Sequence, residues 1–341
     1  MRVLICSDRW NDLTATEVTA AITDSWRARQ PTADVVGLPF SSGGRGFVRA
    51  LAASVPGATD QVWRLRDGTT DYLDGALLTA NGDSAELGRA LAGSIADGAR
   101  RIVIGLGDAA GVDGGAGLIH ALSGSDDLGT ALPQAVERTR EVELVAAYRE
   151  DIPLLGLKGA SASAVDHLGW SRQAAQDNER RIGDFAESVR RVLPPPRDLL
   201  SGHVRRVDRA EGSGAGGGAG FALATLGARL VPGAEVFADA VGLPAQVGQS
   251  DLVVVGTRVF DWRSLAADTV ATVVHAAADA ARPSIVLAEE AEVGRRETMS
   301  LGASAAYSIV DPRSLRPREP QDTLVALSAL ARRVAGTWSA A

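Results

Sequence analysis

Residues able to do chemistry gather in this chain at turns where glycines and single carboxylates follow apolar strands. The stretch 104–122, I-G-L-G-D-A-A-G-V-D-G-G-A-G-L-I-H-A-L, joins an apolar strand to such a turn. Gly114, Gly115 and Gly117 remove Cβ atoms where a helix begins, so main-chain N–H groups can approach an anion closely. Asp113 beside them offers one carboxylate to a metal, a proton or the helix start; taken alone it reads as an N-cap, worth about 1 kcal/mol. Gly43, Gly44 and Gly46 open a second helix, carrying Phe47, Val48, Ala50 and Leu51, where backbone donors can again meet an anion. A third run, G-S-G-A-G-G-G-A-G at 212–220, lacks the Lys-Ser/Thr pair of a phosphate-binding G-x-x-x-x-G-K-[ST] loop. By itself it reads as a linker, but A-L-A-T-L-G-A-R-L behind it makes it a glycine loop feeding a helix. Asp151 and Lys158 share a Gly- and Pro-containing loop after the strand 142–147, where a carboxylate and an ammonium suit magnesium and phosphate, or simply each other at the surface. Asp261 follows the strand 252–256, at the strand end where α/β sheets place ligands.

The remaining reactive types read as structural. His120, His167, His203 and His275 have no metal-ligand spacing, and read as helix-face or surface residues. Cys6, the single cysteine, lies in the first apolar strand and reads as a buried small hydrophobe. Glu289, Glu290 and Glu292 read as solvated capping charge.

Strands alternating with helices must position these turns, the signature of a mainly parallel sheet covered on both faces. Arg2–Ser7 is the first strand. Thr14 and Glu17 form a capping box for a helix whose buried stripe is Val18, Ala21, Ile22 and Trp26, ended by Pro31. Residues 34–40 form the second strand. V-W-R-L-R and Y-L-D-G-A-L-L-T, separated by D-G-T-T between 61 and 79, read as antiparallel strands. A long helix is expected over 160–192, stopped by Pro194, Pro195 and Pro196, with a polar and mobile connection at 197–211. Alternation then resumes with strands at 252–256, 285–288 and 307–310 and helices at 264–281, 295–301 and 323–334.

Composition bounds the function without choosing it. With 341 residues, 45% of them hydrophobic and 23% charged, the chain has material for two domains and a large core. Lys and Arg number 35 against 42 Asp and Glu, a formal charge of −7, so no electrostatic footprint for nucleic acid or an anionic membrane is expected. Aromatic residues make up 4%, too few for stacking platforms on single strands. The first strand follows Met1 directly, without a basic and apolar leader, and no apolar run approaches the about 20 residues of a membrane helix. A soluble, cytoplasmic protein is expected.

Along nearly its whole length the chain resembles the class I glycerate kinases. Residues 3–18, V-L-I-C-S-D-R-W-N-D-L-T-A-T-E-V, are similar to the family's opening strand and P-D-S-F-K-G-S-L-S-A, one residue shorter, with Asp8 matched. L-P-F-S-S-G-G-R-G at 38–46 resembles L-P-x-A-D-G-G-E-G, and the 104–122 stretch resembles I-G-L-G-G-S-A-T-N-D-G-G-A-G. Y-R-E-D-I-P-L-L-G-L-K-G-A-S at 148–161 resembles C-D-V-D-N-P-L-x-G-x-x-G-A-S. The 212–220 run resembles G-A-G-A-A-G-G-L-G and is followed by L-G-A-R-L-V-P-G at 226–233. Glycines, prolines and apolar residues are kept, whereas Asn11 stands for lysine, Ser42 for aspartate, Arg45 for glutamate and Val112 for asparagine. Residues 255–268 keep Asp261 and Ser264 of T-G-E-G-R-x-D-x-Q-S/T-x-x-G-K, without its glutamate, glutamine and lysine.

The resemblance implies an α/β protein of two domains: a discontinuous flavodoxin- or Rossmann-like domain, 1–65 plus 283–341, and an inserted mixed α/β domain, 66–282, with the site in the cleft between them. It implies ATP-dependent phosphorylation of D-glycerate or a related small hydroxy acid, with ATP, Mg2+ and that acid as small-molecule partners. No nucleic-acid or membrane partner is expected, and an oligomer is open. Asp113, Asp151 and Asp261 are the expected catalytic residues, Asp113 and Asp151 also the metal ligands. Asp8, Gly43, Gly44, Arg45, Gly114, Gly115, Lys158, Gly214, Gly216, Gly217 and Ser264 are the expected substrate and phosphate contacts, with Arg45, Arg258 or Arg263 standing in for the missing lysines. The alternatives are a homologue that binds a metabolite or nucleotide without turnover, and a partner-binding protein with a vestigial cleft.

Overall fold

A computed structural model describes residues 1–55, 59–61, 63–107, 111–194, 206–266, 268–309 and 319–338. Its strands are β1 (Arg2–Ser7), β2 (Asp34–Pro39), β3 (Thr59–Gln61), β4 (Arg64–Asp67), β5 (Thr70–Asp74), β6 (Arg101–Leu106), β7 (Glu143–Tyr148), β8 (Arg229–Pro232), β9 (Leu252–Phe260), β10 (Ser284–Ala291) and β11 (Ala305–Ser308). Packing divides the chain into two compact units. Unit 1 comprises Met1–Ser42, Arg49–Pro56 and Ala234–Ala341; unit 2 comprises Gly43–Val48 and Gly57–Gly233. The second boundary falls at 233/234 and not at 282/283, because β9 pairs with β1 in parallel and so draws residues 252–260 into unit 1.

Unit 1 is an all-parallel sheet in the order β11-β10-β9-β1-β2. Counted within the unit this is the doubly wound order 2-1-3-4-5. Val3, Leu4, Ile5 and Cys6 are all buried, as a strand covered on both faces requires, and burial pushes the Cys6 thiol far above its ordinary range. The helix Ala15–Arg29 starts at the capping box read from the sequence. The Glu17 N–H donates to Thr14 Oγ1 at 3.2 Å, and the Thr14 N–H donates to Glu17 Oε2 at 2.8 Å. Val18, Ile22 and Trp26 of this helix pack with Trp10, Val254, Ile285 and, from the helix Pro320–Thr337, Leu327, Ala331 and Val334.

Unit 2 is a mixed sheet in the order β3-β4-β5-β6-β7-β8, antiparallel from β3 to β5 and parallel from β5 to β8. The expected antiparallel pair is present as β4 and β5. The expected strand through 79 ends earlier, at Asp74, because Gly75–Leu78 coils into a helical turn whose Leu77 N–H donates to the Asp74 carboxylate at 3.2 Å. The expected helix 160–192 is two helices, Ala160–His167 and Arg172–Val192. Gly169, at φ +66°, turns the chain between them, and Ser171 Oγ accepts the Ala174 N–H at 3.1 Å to start the second. In unit 1 the expected helix 264–281 is likewise a 3-10 turn, Arg263–Leu265, followed by Thr269–Asp279, which Asp268 caps.

Of the polar connection 197–211, residues 197–205 lie outside the described residues. Its end is pinned, since the buried Asp208 receives Arg206 through two hydrogen bonds of 2.6 and 2.9 Å. No helix among the described residues is long and apolar enough to cross a membrane.

The hairpin of unit 2 buries one full charge cluster. Asp71 is wholly buried and accepts from Arg66 Nε at 2.6 Å and Nη2 at 2.9 Å, with Arg64 Nη2 at 2.7 Å. Removing the carboxylate leaves two guanidinium groups without their shared acceptor. Asp71→Ala is therefore expected to lower the unfolding free energy by roughly 3–5 kcal/mol in a urea titration, and a change below about 1 kcal/mol would show that water replaces the carboxylate at no cost.

Candidate functional site

Both sheets gather their polar loops at the carboxyl ends of their parallel strands. In unit 2 these loops wall a pocket. Leu106 and Gly107 after β6, Arg149 and Glu150 after β7, the face of Ala160–His167 bearing Ser163, Ala164 and His167, and Gly214–Gly217 line it. Glu150 and His167 approach to 3.9 Å at its wall.

The glycine wall is held from behind. Gly216, Gly217 and Gly218 have φ of +61°, +67° and +93°, a left-handed main-chain turn that side chains rarely permit. The Gly114 N–H donates to Gly217 O at 3.0 Å, and a Cβ added to Gly218 would lie 2.5 Å from Gly114 Cα. A Cβ on Gly115 would lie 2.4 Å from that of Ala222. The two turns therefore pack main chain against main chain. Gly214, Gly216 and Gly217 line the pocket, whereas Gly114 and Gly115 back its wall instead of lining it.

The carboxylates are mostly committed to main-chain donors. Asp113 Oδ1 accepts the Gly115 N–H at 2.8 Å, and its Oδ2 accepts from the Ser84 N–H at 3.0 Å, the Ser84 hydroxyl at 2.7 Å and the Gly117 N–H at 3.1 Å. It thus closes the starts of two helices, Ala85–Ala96 and Ala116–Ser123, and a metal would compete with four donors. Asp151 is exposed, and its Oδ1 accepts the Gly212 N–H at 3.0 Å. With Gly214 N–H to Ile152 O at 2.8 Å and Leu154 N–H to Ser213 Oγ at 3.0 Å, this stitches the 150–154 loop to the glycine run. Lys158 is exposed beside the fully exposed Leu157 and is not among the pocket-lining residues.

Gly43–Val48 belongs to the same unit. A Cβ on Gly43 would lie 2.7 Å from Ala147 O, and Gly44 Cα would lie 2.8 Å from a Cβ on Gly107, so this turn covers the carboxyl ends of β6 and β7. Its Gly46 N–H donates to Asp74 Oδ2 at 2.8 Å, while Arg45 is exposed. Burial pushes the Asp74 carboxyl up to about 6, against the pull of the Gly46 and Leu77 N–H groups and the nearby Arg45 charge.

In unit 1, Asp8 follows β1 and joins three segments. Its Oδ2 accepts from the Ser42 N–H at 3.0 Å, the Ser42 hydroxyl at 2.7 Å and the Thr269 hydroxyl at 3.3 Å, and its Oδ1 accepts the Arg9 N–H at 2.7 Å. Serine at 42, where the resembling motif carries aspartate, gives Asp8 a donor in place of a second negative charge. Asp261 Oδ1 accepts the Arg263 and Ser264 N–H groups at 2.9 and 3.1 Å, a local turn that places Arg263 5.1 Å over the Trp262 ring. Asp8 and the Asp261–Ser264 pair serve unit 1, Asp151 and the glycines unit 2. Among the described residues no group of three or more His, Cys, Asp or Glu side chains is placed to hold a metal ion.

Sequence reasoning missed Asp74, Arg149, Glu150, His167, Ser84 and Thr269. Arg149 and Glu150 carry a readable signal, since they are the first polar residues past an apolar strand. His167 and Ser84 gain their roles from folding alone.

The family model of the "Glycerate kinase family" matches residues 3–78 and 73–339. An uncharacterized protein of Mycobacterium bovis is 31% identical over 91% of this chain and 84% of its own. The glycerate kinase of Bacillus subtilis is 28% identical over 91% of this chain and 90% of its own, and the glycerate 2-kinase of Escherichia coli is 28% identical over 78% and 79%. A solved structure from Salmonella typhimurium LT2, named for a glycerate kinase 2, superposes with a TM-score of 0.71 at 24% identity, covering 99% of this chain and 98% of that one, and shares the fold.

Asp113 and Asp151 separate experimentally. Asp113→Ala removes caps from two helix starts and is expected to cost about 2 kcal/mol of stability, read as a lowered Tm, whereas the exposed Asp151→Ala is expected to shift stability by less than about 1 kcal/mol. Equal losses in the two variants would refute this division of roles.

Proposed function

The chain belongs to the glycerate kinase family, and from that membership we propose that it is an ATP-dependent kinase acting in the cytoplasm on D-glycerate or a related small hydroxy acid. The unit 2 pocket carries this reading, because a left-handed glycine main chain and an arginine meet there at strand carboxyl ends. Phosphoryl transfer asks a protein for positioning and charge neutralisation more than for covalent chemistry. Arg149 and the Gly214–Gly217 turn would hold phosphoryl oxygens at the pocket wall. Arg45, exposed on the neighbouring turn, would meet the carboxylate of the acid. Glu150 would take the proton of the attacking hydroxyl, with His167 3.9 Å from it at the pocket wall.

Magnesium in such reactions takes phosphate oxygens together with one or two carboxylates, so a three-carboxylate cluster is not required. Asp151 suits it better than Asp113, having an exposed carboxylate that accepts the Gly212 N–H, against one closed by three main-chain N–H groups and a hydroxyl. The ion would neutralise charge on the transferring phosphates. Lys158, exposed on the same loop, is a contact for the incoming nucleotide.

ADP release by purified protein with ATP, magnesium and D-glycerate, against a control without acceptor, tests the reading. Acceptor-dependent turnover is expected, and Arg149→Ala is expected to lower kcat/KM by roughly 10²–10³ with its circular dichroism unchanged. ATP-induced stabilisation without turnover on any small hydroxy acid would instead identify a binding protein.

A further inference from the structure

Asp74 is a wholly buried carboxyl at the end of β5 for which the reaction above has no use. Its Oδ2 accepts the Gly46 N–H at 2.8 Å and its Oδ1 the Leu77 N–H at 3.2 Å, so each oxygen serves a different segment. One is the helical turn Gly75–Leu78 that continues its own strand. The other arrives from 28 residues upstream in the chain. That second segment, Gly43–Val48, packs with unit 2 while the residues on both sides of it pack with unit 1.

Close packing and this carboxyl both hold the turn down within unit 2. Gly43 lies against the Ala147 carbonyl, Gly44 against Gly107 and the Arg149 side chain, and Phe47 against Gly105, at Cβ-equivalent distances of 2.7–3.4 Å. Phe47 also packs on Tyr72, with ring centroids 6.4 Å apart. The Phe47 N–H of the same turn also acts on the Asp74 carboxyl. β6 sets Gly105 opposite it, the Gly75–Leu78 turn adds only apolar side chains, and Arg45 on the docked turn is the charge that acts on it, with Arg149 on the far side of Gly44.

We propose that Asp74 is a positioning residue, the anchor that docks the Gly43–Phe47 turn on the carboxyl edge of the unit 2 sheet and thereby places Arg45 for an anionic acceptor. The docking stands on this geometry alone; only the purpose assigned to Arg45 rests on the kinase reading. The anchor is pH-sensitive, with a definite sign. Docked, the carboxyl keeps its proton up to about pH 6, whereas in an opened turn it returns toward its ordinary 3.8. The docked state therefore binds the proton more tightly, and rising pH through about 6 favours opening.

Amide hydrogen exchange across 43–52, measured on the full chain without substrate from pH 5 to pH 7 and corrected for intrinsic exchange, tests this. In the wild type the opening constant is expected to rise about tenfold over that range. In Asp74→Asn, which cannot ionise, it is expected to be flat, while the segment 252–260 exchanges alike in both proteins. A wild-type profile that follows intrinsic exchange alone, or an Asp74→Asn profile with the same tenfold rise, overturns the anchor. Because no substrate is present, failure of the kinase reading leaves this result untouched. Where turnover is found, Asp74→Asn is expected to raise the acceptor KM several-fold more than it lowers kcat, and an unchanged KM would remove the role given to Arg45.

Discussion

Main-chain N–H groups at the carboxyl ends of parallel strands need acceptors, and in this protein aspartates supply them. A loop leaving a strand to start a helix exposes several amide donors that have no partner within the helix, and burying them unpaired is costly. Asp8, Asp74, Asp113, Asp151 and Asp261 each accept at least one such N–H. Four of them, all but Asp261, bridge segments distant in sequence, and Asp8 by itself joins the ends of β1 and β2 to the start of a helix after β9. A charged acceptor makes a stronger bond than a neutral one and suits the positive end of a helix, which favours a carboxylate over an amide at the two helix starts that Asp113 closes.

This commitment reshapes the chemistry open to each unit. A carboxylate with four donors, as at Asp113, is poorly available to a ligand. Asp151, with one, remains open to a ligand. The same logic explains replacements that a motif comparison alone leaves puzzling. Val112 is buried, and its carbonyl accepts from Asn178 Nδ2 at 3.1 Å, so that position now contributes packing and main chain. Ser42 relieves Asp8 of a neighbouring charge. Polar groups lost from the loops have been exchanged for internal bonds within the loops.

The fold was legible wherever local signals and packing agree. The Thr14 and Glu17 pair announced a helix start, and the apolar runs at 2–7 and 252–256 announced buried strands. Misreadings arose where a short-range signal was overridden by something distant. Leu77 and Leu78 look like strand residues until Asp74 caps them, and the apolar spacing over 160–192 hides the left-handed break at Gly169. The candidate site was half legible for a similar reason. Glycines mark places where main chains approach closely, but sequence does not say whether the visitor is a ligand or another turn. Gly216 and Gly217 face the pocket, whereas Gly114 and Gly115 face Gly217, Gly218 and Ala222. Asp74 left no trace, because its partner is a main-chain N–H 28 positions away, which no side-chain pattern marks.

The pairing of β1 with β9 also governs the order in which the chain can be finished during synthesis. Ser7 and Gly256, which share a hydrogen bond, are 249 residues apart. The amino-terminal strands therefore leave the ribosome long before the strand that separates them from β10 exists, while all of unit 2 has already emerged. Such distant closure makes unit 1 the slow half of folding, with β1 and β2 exposing apolar faces in the interval. An aggregation-suppressing chaperone would find its clearest target in those first forty residues.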